Sequence, residues 1–107
     1  MRSLHYAAFG VLSLSLPGAQ TRPEDRATLT PWARYFFETS ARAFLTSYTA
    51  APHLEGLLPE TPHEFQRLLD IQLVEKALYE LIYELNNRPT WVELPLRGLL
   101  DLTDRVR

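Results

Sequence analysis

"TPHEFQRLLDIQLVEKALYELIYELNNRP", from Thr61 to Pro89, decides the fold class. It opens on a helix-start signal. Thr61 can cap, Pro62 suits the first helical position, where its missing N–H costs nothing, and Glu64 stands three residues after the cap. It closes on Asn86-Asn87-Arg88-Pro89: asparagine tolerates the left-handed geometry of a helix end, and a proline pushes the residue before it out of the helical region. Between these signals the apolar residues recur at helical spacing, so the stretch reads as one long helix.

At about 100° per residue, Ile71, Val74, Leu78, Leu81, Ile82 and Leu85 fall on one side of that helix without a polar interruption. That side is expected to be its core face, stabilising it by roughly 1.5–3 kcal/mol per large side chain buried. The opposite arc, also about 100° wide, carries Gln72, Lys76, Tyr79, Glu80, Tyr83 and Asn87. Two readings of it compete. One is a solvated face on which Lys76 and Glu80 form an i,i+4 pair worth roughly 0.2–0.5 kcal/mol. The other is a carbohydrate surface. A phenol offers a flat apolar face to the C–H side of a sugar and a hydroxyl to its oxygens, lysine donates up to three hydrogen bonds, and glutamate accepts several.

Outward from this stretch, proline and glycine divide the chain into four helical segments. The first runs from the N-terminus to about Leu16, stopped by Pro17-Gly18, and "PGAQTRPED" follows as a polar connector. Thr30-Pro31 repeats the cap-and-proline signal and predicts a helix from Pro31 to about Ala50, bearing Trp32, Tyr35, Phe36, Phe37, Phe44 and Tyr48. "AAPHLEGLLPE" is the next break. The last segment, Thr90 to about Val106, has Thr90 and Glu93 at capping-box spacing, with Pro95 obscuring its start. No β-type alternation persists, and a chain of 107 residues buries one modest core. The expectation is a single all-α unit of about four helices.

Composition removes several classes. A formal net charge of −2 gives no basic surface for nucleic acid or an anionic membrane. With no cysteine there is no disulfide framework, cysteine metal site or thiol nucleophile, which fits a reducing cytosol. "MRSLHYAAFGVLSLSLPGAQ" has the outline of a secretory signal, with Arg2, an apolar run from Ala7 to Leu16, and Ala19. His5 and Tyr6 interrupt the entry to the run, and Pro17 falls at the third position before a cut after Ala19, where a small residue is wanted. The run is also well short of the roughly 20 apolar residues a bilayer needs. A buried helix is the preferred reading and a small secreted helical protein is kept as a rival.

The remaining candidates favour structure over chemistry. His5, His53 and His63 show no metal-ligand spacing, and His5 reads as a packing residue. Ser40, Ser47 and Thr39 have no histidine in local register, so no nucleophile is argued. Asp101 and Asp104 read as solvated charges balancing Arg105 and Arg107. Trp32 and Trp91 read as core or helix-start anchors, and Arg88 and Arg97 as surface-paired.

"LVEKALYELIYELNNRPTWVELPLRGLL" resembles the end of the helical lobe of bacterial maltokinases, including the form fused behind trehalose synthase. "MRSLHYAAF" resembles that family's helix after the metal-binding acidic loop, and "WARYFFETSARAFLTSYTA" its aromatic helix with a Trp-Ala-Arg start and a Phe-Leu-x-x-Tyr end. The likeness covers nearly the whole chain; "NNRPTW" followed by "PLRG" is its most specific part. It implies a fragment of the helical C-terminal lobe of a kinase-like fold, of the aminoglycoside-phosphotransferase type. The complete cytoplasmic enzyme would transfer the γ-phosphate of ATP, with Mg2+, to maltose to give maltose 1-phosphate. The family's Lys-x-x-Tyr-x-x-x-Tyr pattern lands on Lys76, Tyr79 and Tyr83 as maltose contacts, with Glu80 on the same face orienting Lys76 or serving as a structural pair. The expected partners are maltose, the remainder of the kinase and, in the fused form, a trehalose synthase domain.

Phosphoryl transfer needs a nucleotide cradle, a carboxylate for the attacking hydroxyl and carboxylates for magnesium. This chain has no Gly-rich phosphate loop and no matching aspartate motif; in the family those parts precede the region seen here. Met1 is therefore read as an internal methionine or a truncated gene start, the chain alone as non-catalytic, and no cofactor or metal site is assigned to it. The rival from another class is an independent helical interaction module.

Overall fold

The computed structural model describes residues 1–13, 18, 21–54 and 56–106. Four helices form: α1 (Arg2–Gly10), α2 (Arg26–Thr49), α3 (Pro62–Asn87) and α4 (Glu93–Val106), with 3-10 turns at Pro23–Asp25 and Pro89–Trp91. No strand occurs among the described residues, so the chain is all-α. None of its described helices is long and apolar enough to cross a membrane.

The long helix forms as its sequence dictates. The Thr61 hydroxyl accepts from the Glu64 N–H, and the Glu64 carboxylate accepts from the Thr61 N–H, a complete capping box with Pro62 at the first position. At the far end Arg88 leaves the helical region at φ −143°, ψ 71°, as the residue before Pro89 must. Asn86 and Asn87 turn their amides back onto the carbonyls of Ile82 and Tyr83.

Three boundaries differ from the local signals. α2 begins at Arg26, five residues before Pro31, because the turn at Pro23–Asp25 runs directly into it from an extended Arg22. Pro31 is thus inside the helix, and the Thr30 hydroxyl bonds the Arg26 carbonyl instead of capping. α1 closes at Gly10; Leu14 to Pro17, where its end was expected, lie outside the described residues. Thr90 sits in the 3-10 turn and α4 starts at Glu93, whose carboxylate accepts from the Ser13 hydroxyl at 3.2 Å and pairs with Arg26. Pro95 is the third residue of α4 and buried, a place where its missing N–H removes no helical bond.

α1 lies at the centre, against all three other helices, while the α2 and α3 backbones do not approach each other. The core is correspondingly small: Ala8, Phe9, Leu12 and Leu94, flanked by Tyr6, Ala33, Phe37 and Trp91. Gly98 lets α1 and α4 close up, since the Arg2 guanidinium lies where its Cβ would be, with Cζ 2.7 Å from that point.

The expected core face of α3 is not buried. Ile71 and Ile82 are 61% exposed, Val74, Leu78 and Leu85 are also open, and Leu81 is half-buried. α1 and α4 dock instead on the flank holding Ala77, Glu80 and Glu84. Ala77 has no bulk to hold them off, and both carboxylates find arginines there. With only 9 and 14 residues, α1 and α4 cannot wrap helices of 24 and 26. α2 shows the same shortage: Phe37 reaches the core, whereas Trp32, Tyr35, Phe36, Phe44 and Tyr48 remain exposed.

Candidate functional site

An open cleft of about 490 Å³ runs between α1 and the C-terminal half of α3. Its α3 wall is made by Lys76, Tyr79, Glu80, Tyr83 and Glu84, continued by Arg88; α1 contributes Ser3 and Tyr6. All four residues singled out from the sequence, Lys76, Tyr79, Glu80 and Tyr83, therefore line one space. Gln72 and Asn87, on the same arc, are not among its lining residues.

The Lys76 ammonium stands 4.5 Å from the centre of the Tyr79 ring, a cation–π contact, and has no ion pair among the described residues. Glu80 does not orient it. The Glu80 carboxylate faces α1 and accepts from Arg2 Nε at 2.8 Å, with both side chains largely buried. Burial decides the partner: Arg2 loses most of its water against α4, so it takes the nearest carboxylate on α3.

Beneath the cleft lies a group that periodicity did not expose. Glu84 is 2% exposed, accepts from Arg88 Nε at 2.9 Å and Nη2 at 2.7 Å, and accepts from the Tyr6 hydroxyl at 3.2 Å. The Arg88 guanidinium carbon lies 4.4 Å from the centre of the Trp91 ring and 5.5 Å from that of Tyr83. Tyr6 stacks toward Trp91, with ring centres 6.4 Å apart and planes 22° apart. Burial, followed by the Glu80 and Glu84 charges, raises the Tyr6 phenol well above its ordinary value, so it is a donor throughout the neutral range. The hydrogen bonds that Arg88 donates to Glu84 raise the Arg88 guanidinium as well.

Tyr6 and Glu84 stand 78 positions apart, a separation no local pattern bridges. The one available sign was Glu84 itself, an acidic residue set between the apolar and polar arcs.

His5 lies apart from the cleft, sealed at 2% exposure against Phe9 and Phe37, with ring centres 4.6 and 5.4 Å away. Asp101 is not a solvated charge. It accepts from Arg34 at 3.0 Å and lies 3.5 Å from His5 Nε2. Arg97 places its guanidinium over the Phe9 ring at 4.3 Å and has no ion pair among the described residues. Among the described residues no cluster of three His, Asp or Glu could hold a metal ion.

The cleft thus presents aromatic faces, phenolic hydroxyls and an ammonium, and its two carboxylates are each held by an arginine. Such a surface can stack on and hydrogen-bond a polyol. No family model and no solved structure matches the chain.

Proposed function

We propose that the chain is the maltose-binding part of a maltokinase, the enzyme that makes maltose 1-phosphate from maltose and ATP. The observation that supports this reading is the gathering of Lys76, Tyr79 and Tyr83 with Tyr6 around one cleft of a size that suits a disaccharide. In this reading ATP, Mg2+ and phosphoryl transfer belong to the remainder of a cytoplasmic kinase, with or without a trehalose synthase domain, and this chain alone does not transfer phosphate.

In the full-length enzyme, Lys76→Ala is expected to raise the maltose KM about tenfold or more, the loss of a charged hydrogen-bond donor, with the ATP KM nearly unchanged. Tyr83→Phe should act in the same sense and more weakly. Steady-state kinetics with each substrate varied in turn checks this, and equal effects on both substrates would remove the sugar-pocket assignment.

A second reading, an independent helical interaction module, is favoured by the bare apolar sides of α2 and α3, where Trp32 is 68% exposed and Ile71 and Ile82 are 61% exposed. A lobe separated from its neighbours would show the same surface. Gel filtration over a range of protein concentrations separates the two. A lobe fragment should self-associate increasingly as concentration rises, through the faces its neighbours would cover, and a module should run as one defined species at every concentration.

A further inference from the structure

We infer that Glu84 is a positioning residue that sets the second wall of the cleft from beneath, by holding Tyr6 and Arg88, and through Arg88 the Trp91 ring, in one arrangement. The inference deepens the carbohydrate reading of the same cleft and rests on it for the ligand alone.

A carboxylate that is 2% exposed is costly to keep ionised, and this one is kept by three donors from two parts of the chain. An i,i+4 glutamate–arginine pair on a helix usually lies in solvent and is worth little. Here the acid is turned inward while its arginine stays 45% exposed at the cleft's end. Both of its direct partners line the cleft. The two-pronged bond fixes the guanidinium plane, which in turn lies within cation–π reach of Trp91 and Tyr83. The Tyr6 hydroxyl on the same carboxylate fixes the α1 side. One buried group therefore determines where three aromatic rings and a cation stand.

The test uses this chain with Trp32→Phe, which leaves Trp91 as the remaining one of its two tryptophans, and compares it with the same chain carrying Glu84→Gln. Glutamine keeps the size and an acceptor but cannot hold the charged pair. Acrylamide quenching of Trp91 should rise and maltose affinity, followed by NMR titration, should fall about tenfold or more, with helicity unchanged. As a control, Lys76→Ala should weaken maltose binding while leaving Trp91 quenching where it was. If Trp91 responds to Glu84→Gln but no form binds maltose, the positioning role stands and the carbohydrate reading falls. If Trp91 quenching is unchanged, the inference is overturned; maltose affinity equal to that of the parent overturns it too. Should Glu84→Gln lose helicity, Arg88→Lys, which keeps a charge without the two-pronged grip, must raise Trp91 quenching at constant helicity, and its failure to do so overturns the inference as well.

Discussion

Phe9→Ala is expected to cost about 3–5 kcal/mol, the range for emptying a buried aromatic site. Small domains hold only about 5–15 kcal/mol in all, so much of the stability of this chain should go. The position explains the size. Phe9 is 2% exposed at the centre of a core with few members. It touches His5 on its own helix, lies 6.4 Å from Phe37 of α2, and carries the Arg97 guanidinium of α4 on its face. Removing the ring loosens α1 from α2 and α4 together. Ile82→Ala, at a position 61% exposed, should stay within about 0.5 kcal/mol. Urea unfolding of the two variants side by side checks the contrast. A larger loss at Ile82 than at Phe9 would mean that the helices assemble around the other face of α3.

Acidification should remove about 3 kcal/mol through His5 alone. Burial, reinforced by Arg2 and Arg97 and opposed by Asp101, lowers the His5 imidazole from its ordinary 6.5 to about 4. The unfolded chain therefore takes up this proton first. The stability contributed by the neutral ring is complete above pH 6.5, drains away as the pH falls toward 4, and does not change further below that. The groups facing the ring are Arg2 from α1, Phe37 from α2, and Arg97 and Asp101 from α4, together with Phe9. The carboxylates titrate in the same region, so the measurement is a difference: thermal melts of the parent and His5→Leu at pH 7 and pH 4. The parent should lose about 3 kcal/mol more than the variant over that interval. Equal losses would show that His5 is not held neutral by the fold.

The span of α3 was legible because its signals are local. Thr61, Pro62 and Glu64 act within one turn, and Pro89 acts on the residue beside it. Pro31 misled for a related reason. The cap-and-proline pattern there is real, but Pro23, Glu24 and Asp25 open a turn earlier and the helix grows from it. Which flank of α3 is buried was not legible. The periodic apolar side would win if α1 and α4 were long enough to cover it, but the outcome is set by Ala77 and by arginines 78 and 4 positions from their carboxylates. The candidate site divides along the same line. Lys76, Tyr79, Glu80 and Tyr83 share a face through the helical repeat, which a sequence displays. Tyr6 and Glu84 meet only because α1 is docked across α3, and Glu80 was taken from Lys76 by the same docking.

Among the described residues, the bridges between the first two helices and the last two run in one direction. Arg2, Arg26 and Arg34 face Glu80, Glu93 and Asp101 in turn, while Tyr6 and Ser13 donate to Glu84 and Glu93. The leading hairpin brings the donors and the trailing hairpin the acceptors. The halves therefore attract before they touch, over roughly the 10 Å that an ionic strength of 0.1 M permits, and two copies of the same half repel through that surface. This polarity favours joining unlike halves over like ones, a safeguard for a chain whose apolar contacts are too few to enforce the choice.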